Sequence, residues 1–109
     1  MNVEVKSVKK RYSRDKDIIQ WATDRNIMKN GNRYSQCEKL EEEFMELCEA
    51  LEAREEEDVK DAIGDMYVVM TLIAEFSGLT IPECVEHAYD TIKDRKGYLN
   101  EDGVFVKEE

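Results

Sequence analysis

The strongest structural signal in the chain is the stretch SQCEKLEEEFMELCEAL, residues 35–51. Its apolar residues recur at steps of three and four, which places them along one side of an α-helix. Ser35 and Glu38 have the spacing of a capping box at the start of this helix. The predicted apolar stripe consists of Cys37, Leu40, Phe44, Leu47, Cys48 and Leu51.

The same periodicity predicts three further main helices around this one. A polar stretch, Arg54 to Glu57, predicts a break after the first helix described, and Thr80 with Pro82 predicts a capped helix start. Asp102-Gly103 predicts a tight turn in a short C-terminal hairpin. We therefore expect an all-α, four-helix bundle; the other helices cover residues 15–30, about 56–77 and 80–92.

Composition agrees with a helical, globular protein of one domain. The 109 residues are 41% hydrophobic and 39% charged, with one proline and five glycines, which argues against a turn-rich all-β fold. Sixteen basic and 26 acidic residues give a net charge of −10. Because phosphate neutralisation supplies most of the affinity for nucleic acid, we expect no general nucleic-acid binding.

The three cysteines and the sequence of the N-terminus bear on location. Cys37, Cys48 and Cys84 have the spacing of neither a disulfide framework nor a zinc site, so we expect buried, reduced thiols and a cytoplasmic protein. No run of about 20 apolar residues could span a bilayer, and residues 1–6 lack the apolar region of a signal peptide.

Residues 1–14 are rich in lysine and arginine, and we expect them to form a mobile, basic arm before a helical domain at 15–109. A solvated tail is the simpler interpretation of this arm. Contact with a nucleotide or an acidic neighbour is the alternative.

Three carboxylates in the first helix described suggest a cation site. Glu42, Glu43 and Glu46 are spaced so that all three are neighbours, and a cation would relieve their repulsion. A glutamate run on a helix is by default a solvated face, so this helix alone leaves both interpretations open.

The next helix adds two aspartates. Asp61 and Asp65 begin a row that continues with apolar residues, so we expect both carboxylates to face inwards. Burying ionised carboxylates without partners costs several kcal/mol, so either cations compensate them or they become protonated. Oxygen-only ligands suit Mg²⁺ or Mn²⁺, whereas a single histidine, His87, and scattered cysteines disfavour zinc.

Positive charge for a phosphate group is available at two places. Lys93, Arg95 and Lys96 lie near the end of the last helix, where cations also favour the helix dipole. Lys39 lies beside Glu42 and Glu43.

Taken together, these residues resemble the MazG-like nucleotide pyrophosphohydrolases, an all-α nucleoside triphosphate pyrophosphatase group, and most closely their small phage-type members. Glu42-Glu43-Phe44-Met45-Glu46 matches the family's EExxE motif, and Ala62-Ile63-Gly64-Asp65 matches part of its ExxD motif. The resemblance extends from about Asp17 to Val106. In one departure, Ala62 replaces the second motif's glutamate, and we expect Asp61 to take over that role.

The resemblance implies Mg²⁺-dependent hydrolysis of a nucleoside triphosphate, especially a deoxynucleotide, to the monophosphate and pyrophosphate. It implies metal ligation by Glu43, Glu46, Asp65 and Asp61. Glu42 would position or deprotonate the water, or hold a second ion. Substrate contacts are expected from Lys39, Lys93, Arg95, Lys96 and Trp21, the last as a wall of the base pocket or, equally, as a core residue.

Family members associate through their helices, so the resemblance also implies a homodimer or homotetramer. An apolar row on each side of the Asp61–Asp65 helix agrees with that expectation. The competing hypothesis is a non-catalytic acidic helical module that binds a protein or mimics nucleic acid. Release of orthophosphate by a metal-dependent phosphohydrolase is a third possibility.

Overall fold

The computed structural model of the protein describes residues 13–108. These residues form five helices and one two-stranded sheet, which confirms the predicted all-α architecture with a C-terminal hairpin. Most of the predicted basic arm, residues 1–12, lies outside the described residues. The elements in chain order are α1 (Asp15–Asp24), α2 (Ile27–Asn30), α3 (Arg33–Ala53), α4 (Glu56–Phe76), α5 (Ile81–Ile92), β1 (Gly97–Leu99) and β2 (Phe105–Lys107).

The chain divides into two compact units between Leu79 and Thr80. In the first unit, α3 and α4 pack along each other, α1 packs on α4, and α2 lies against α1. The second unit contains α5 and the antiparallel hairpin, in which Tyr98 pairs with Val106. The carboxylates predicted to bind metal all belong to the first unit.

Helix α1 is shorter than the periodicity predicts. It ends at Asp24, and Asn26 adopts a left-handed conformation with φ of 63° before the single turn of α2. Asparagine tolerates this region better than most residues, so it allows the chain to change direction. The hydroxyl of Tyr67 donates a 2.5 Å hydrogen bond to Asp15 Oδ1, which holds α1 against α4.

Helix α3 begins two residues earlier than predicted, and its cap is not the predicted one. Asn32 is the N-cap, and its Oδ1 accepts hydrogen bonds from the backbone N–H groups of Tyr34 and Ser35. Asn32 thus satisfies two of the free donors at the helix start. The capping box attributed to Ser35 and Glu38 is therefore wrong.

The predicted ends of the other helices are confirmed. Arg54 adopts a left-handed conformation with φ of 58° between α3 and α4, inside the predicted break. Gly78, with φ of 74°, follows α4. Thr80 and Glu83 form a complete capping box at the start of α5, and Gly103 makes the predicted hairpin turn with φ of 80°.

The buried side of α3 coincides only in part with the predicted stripe, of which Leu40 and Leu47 are partly buried. Glu43 and Ala50 are buried, whereas Phe44 and Leu51 of the predicted stripe are about half exposed. Small residues dominate the packed surface and allow the helices to approach closely. The buried apolar residues are Ala22, Ala50, Ala62, Val69, Leu72 and Ala74.

This change of face also corrects the expectation of buried thiols. Cys37 and Cys48 lie on the outer side of α3 and are exposed, and Cys84 is partly buried. No helix in residues 13–108 is by itself both long enough and apolar enough to cross a membrane.

Candidate active site

Glu43 is the buried carboxylate of the first unit. Its residue is only 6% exposed, and its Oε2 lies 3.3 Å from Lys39 Nζ. Its other oxygen, Oε1, is buried without a hydrogen-bond partner among the described residues. A carboxylate oxygen buried without a partner lowers the stability of a protein. This atom is therefore available to accept a hydrogen bond or to bind a cation.

Asp65 of α4 shares the electrostatic environment of Glu43. Partial burial raises the pKa of Asp65, and the neighbouring negative charges of Glu43 and Asp61 raise this pKa further. The ammonium group of Lys39 opposes the increase. The pKa of Lys39 is itself raised, chiefly by its hydrogen bond to Glu43 and then by the charges of Glu43 and Glu42. Negative charge is thus in excess at this point of the first unit.

A cavity of about 590 Å³ opens beside Asp65, between α3 and the N-terminal half of α4. Five carboxylates and three alanines form its wall, and none of its lining residues is basic. We call it the acidic cavity. It is lined by Glu46, Glu49, Ala50, Ala53, Asp58, Asp61, Ala62 and Asp65.

A second cavity of about 340 Å³ adjoins the first, because Asp65 lines both. Its wall is mainly apolar, with a few polar groups. We call it the apolar pocket. It is lined by Trp21, Ile27, Gln36, Lys39, Glu43, Asp65, Val68, Val69 and Leu72.

The four predicted metal ligands fall in this region, with one correction to their burial. Glu43 is buried as an inward group, and Glu46, Asp61 and Asp65 line the acidic cavity. Asp61 and Asp65 are however exposed residues, because the inward row of α4 becomes buried only further along, at Val69 and Leu72. Ala62, which aligns with the missing glutamate, is buried beside Asp61.

The predicted catalytic residue, Glu42, lies apart from both cavities. Its side chain is 66% exposed and forms an ion pair of 3.5 Å with Lys39. Lys39 and Trp21 do line the apolar pocket. Trp21 is about half exposed, which rules out a role in the core, and the guanidinium of Arg25 lies over its ring at 4.7 Å from the centroid.

The predicted phosphate-binding cations belong to the second unit. Arg95 and Lys96 line a cavity of about 530 Å³ there, together with Lys107 of β2, which the sequence reasoning did not include. Lys93 does not line it and forms an ion pair of 3.4 Å with Asp90.

Three further residues of the cavities in the first unit were missed. The sequence predicts both Glu49 and Asp58 to be solvated, because Glu49 projects away from the predicted apolar stripe and Asp58 lies in the acidic run at the start of α4. The signal that would have found Glu49 is its spacing of three from Glu46 and seven from Glu42. Gln36, in the apolar pocket, is the third residue; it lies seven residues before Glu43 on the same side of α3.

No three acidic, histidine or cysteine side chains among residues 13–108 are already placed to hold a metal ion. The donor set still has the right chemistry for Mg²⁺, since it offers only oxygens and includes the unpartnered Oε1 of Glu43. Mg²⁺ is usually held by one or two carboxylates together with waters and substrate phosphates. It therefore does not require a preformed cage of protein ligands.

Comparison with known proteins gives the family. Residues 14–94 match the phosphoribosyl-ATP pyrophosphohydrolase family, and this match includes every carboxylate of the acidic cavity. The chain belongs to this family. Phosphoribosyl-ATP pyrophosphohydrolases are relatives of the MazG-like proteins within the all-α nucleoside triphosphate pyrophosphatase superfamily, so the resemblance seen in the sequence is correct at the level of the superfamily.

The phosphoribosyl-ATP pyrophosphohydrolase family is one of hydrolases that act on phosphoric anhydrides. A further relative is an uncharacterized 18.2 kDa protein in the rep-hol intergenic region of Haemophilus phage HP1, 43% identical over 60 residues. These residues are 55% of this chain and 37% of the phage protein, so the chain matches little more than a third of that relative's length. No solved structure matches the chain.

Proposed function

We propose that this protein hydrolyses nucleoside triphosphates, including deoxynucleoside triphosphates, to the nucleoside monophosphate and pyrophosphate, with Mg²⁺ or Mn²⁺ as cofactor. The observation that carries the proposal is the buried Glu43, with one unpartnered oxygen, beside Asp65 at the edge of a cavity lined by carboxylates. Membership in a family of pyrophosphohydrolases supports the same reaction class.

The proposed metal ligands are Glu43, Glu46, Asp61 and Asp65. Bound Mg²⁺ would neutralise the phosphate oxygens and lower the pKa of a coordinated water. Three of these side chains are exposed and line the acidic cavity, so they can turn towards an ion without disturbing the core. Asp61 precedes Asp65 by one helical turn, which supports its proposed replacement of the glutamate missing at position 62.

Hydrolysis breaks the bond between the α-phosphorus and the oxygen that bridges it to the β-phosphorus. A water oxygen forms the new bond to the α-phosphorus, a carboxylate accepts the proton of that water, and pyrophosphate leaves. Glu42 remains our sequence-based proposal for this base. Glu49 is a second proposal, because it lines the acidic cavity whereas Glu42 is paired with Lys39 outside it.

Lys39 gains a defined role in this scheme. Its ammonium group now neutralises Glu43 at 3.3 Å. A divalent cation bound at Glu43 would repel that ammonium group and free it for a phosphate oxygen. The structure gives no comparable argument for Lys93, Arg95 and Lys96, whose substrate contacts stay a prediction.

Phosphoribosyl-ATP is a second candidate substrate, because it appears in the name of the family that matches the chain. It joins the nucleoside triphosphates in the test rather than replacing them.

The test is incubation of the purified protein with Mg²⁺ and each substrate of a panel, followed by identification of the phosphorus-containing products. We expect pyrophosphate and a monophosphate, and loss of turnover in Asp65→Asn and Glu46→Gln. Glu52→Gln is the matched control, since it removes the same charge from an exposed position of α3 that lines neither cavity.

Three results would contradict the proposal in different ways. Release of orthophosphate would indicate a phosphohydrolase. Activity that persists in Asp65→Asn would place the chemistry elsewhere. Absence of turnover, together with a melting temperature unaffected by Mg²⁺ or Mn²⁺, would favour the non-catalytic binding module.

A further inference from the structure

We propose that the side-chain amide of Gln36 recognises the hydrogen-bonding edge of the substrate's base, which the apolar pocket, walled in part by Trp21, would hold. The inference deepens the proposed function, on which it rests for the substrate class. It adds the residue that would determine base preference.

The dimensions and lining of the apolar pocket suit a base. At about 340 Å³ it lies at the small end of the range for small-molecule sites, about 300–1,000 Å³, so it suits a flat ring system better than an entire nucleoside triphosphate. Trp21, Val68 and Leu72 contribute apolar surface from α1 and α4. Bases are typically held between such surfaces and identified at their polar edges.

Gln36 is the neutral polar side chain of this pocket. It is partly buried, and its amide makes no hydrogen bond with any described residue. The other polar side chains of the wall are charged, and Lys39 and Glu43 are paired with each other. An amide presents donors on nitrogen and an acceptor on oxygen, so it can match an adjacent acceptor and donor on the edge of a base.

Trp21 supplies a stacking surface. The guanidinium of Arg25 covers one face of the indole, at 4.7 Å from the centroid, and the Arg25 side chain also donates a hydrogen bond to the Trp21 carbonyl oxygen. These contacts fix the ring, and a base would stack on the face opposite Arg25. Stacking of a base on an aromatic side chain contributes about 1–3 kcal/mol and tolerates every base, so discrimination must come from a polar group.

The position of the pocket agrees with the proposed reaction. Asp65 lines both cavities, so a base in the apolar pocket would direct its phosphates past Glu43 and Asp65 towards the acidic cavity. The base site and the hydrolytic site would then be two ends of one substrate path within the first unit.

Trp21 is the only tryptophan of the chain, so its fluorescence reports directly on this pocket. The first experiment titrates the metal-free protein with uncharged adenosine, guanosine, cytidine, uridine and thymidine. We expect saturable quenching of this fluorescence. We expect Gln36→Ala to lower the affinity for the preferred nucleoside by about tenfold, because the variant loses the paired hydrogen bonds to the edge of the base. Absence of quenching by all five nucleosides would overturn the inference.

The second experiment changes the hydrogen-bonding pattern of residue 36. A carboxylate accepts twice and donates nothing, and guanine presents two adjacent donors, so Gln36→Glu should shift preference towards guanosine by about tenfold relative to uridine. Ser35→Glu is the matched control, because it adds the same charge at an exposed neighbour outside the pocket. Its preference should equal that of the wild type.

Equal changes for all nucleosides in Gln36→Glu would show that residue 36 does not recognise the base. Since this readout needs no turnover, its outcome is independent of the hydrolase assay. Quenching with a Gln36-dependent preference but no hydrolysis would disprove the proposed reaction and retain the base site.

Discussion

Glu43 and its neighbours define the energetics of the site at the level of single residues. One carboxylate oxygen of Glu43 is paired with Lys39, the other is buried without a partner, and Asp65 lies close by with a raised pKa. Such a cluster is unfavourable in the metal-free protein. The proposed affinity for a cation would therefore be gained at the expense of stability.

Asp65→Asn should stabilise the metal-free protein at pH 7. The pKa of Asp65 in the folded state is raised above its ordinary value of 3.8, so the folded state binds the proton of this carboxyl group more tightly than the unfolded state does. Above pH 3.8 the ionised carboxylate therefore opposes folding. The penalty is absent below pH 3.8, appears as the pH rises through the folded-state pKa and is complete above it. In the presence of a chelator, the melting temperature of the variant should be higher than that of the wild type at pH 7, and this difference should disappear in acid.

The converse behaviour is expected when metal is added. Mg²⁺ should raise the melting temperature of the wild type and leave that of Asp65→Asn unchanged, because binding to the native state alone stabilises it. A variant that is less stable than the wild type at pH 7 without metal would contradict the assigned sign.

Lys39→Met should lower the free energy of unfolding by about 1–2 kcal/mol at pH 7, because it leaves the Glu43 carboxylate buried without its cation. The value is modest since the lysine side chain is half exposed. In a Glu43→Gln background the same substitution should cost less. Urea unfolding of both single variants and the double variant measures this coupling, and strictly additive effects would show that the pair contributes nothing.

At the level of elements, the junction between α3 and α4 depends on Arg54. This residue has a left-handed conformation with φ of 58°, and no described contact of its side chain compensates for the strain. Glycine adopts this region without a steric penalty and is the usual residue at such a helix end.

Arg54→Gly should therefore raise the free energy of unfolding by about 0.5–1 kcal/mol. Glu52→Gly, two residues earlier within α3, is the contrasting control and should lower it by about 1 kcal/mol. Chemical denaturation of both variants checks the prediction. Destabilisation by Arg54→Gly would show that the arginine side chain has a stabilising role at the junction.

The elements also show what the sequence could and could not predict. Caps and turns were predictable at Thr80, Gly78 and Gly103, because the local chemistry of these residues determines the backbone. The face of α3 was not predictable from its apolar residues, because the helix carries two rows. Its two buried residues are Glu43 and Ala50, whereas Leu40 and Leu47 of the predicted stripe are only partly buried.

The candidate site was partly predictable for the same reason. Spacing and resemblance identified Glu43, Glu46, Asp61 and Asp65, which do lie around one region. Asp58 was missed because it lies at an acidic helix start, and Gln36 and Glu49 were missed because their place in the cavity walls follows from which side of α3 packs on α4. That choice depends on tertiary contacts that a single helix does not encode.

At the scale of the whole molecule, the first unit carries an open apolar surface on the outer side of α3. Phe44 and Ile63 are 49% and 56% exposed, and Tyr34, Phe44 and Met66 line a groove of about 640 Å³. Apolar patches of this kind are typical of association surfaces. They support the sequence-based prediction of a homodimer or homotetramer formed through helices, which stays a prediction.

Phe44→Glu should dissociate the expected oligomer, because it places a charge in the middle of this apolar groove. Sedimentation analysis should show a smaller species than the wild type, with a helical circular dichroism spectrum retained. Thr23→Glu, at an exposed position of α1 outside the groove, should sediment like the wild type. A wild-type protein that sediments as a monomer would refute the prediction.

The exposed thiols of α3 have a practical consequence. Cys37 and Cys48 are accessible and lie eleven residues apart, which is about 16 Å along a helix axis. Both would accept nitroxide spin labels without any engineered cysteine. Pulsed electron paramagnetic resonance would then measure the fixed distance between the two labels on one helix. This known distance would serve as an internal reference for longer distances between copies of the chain.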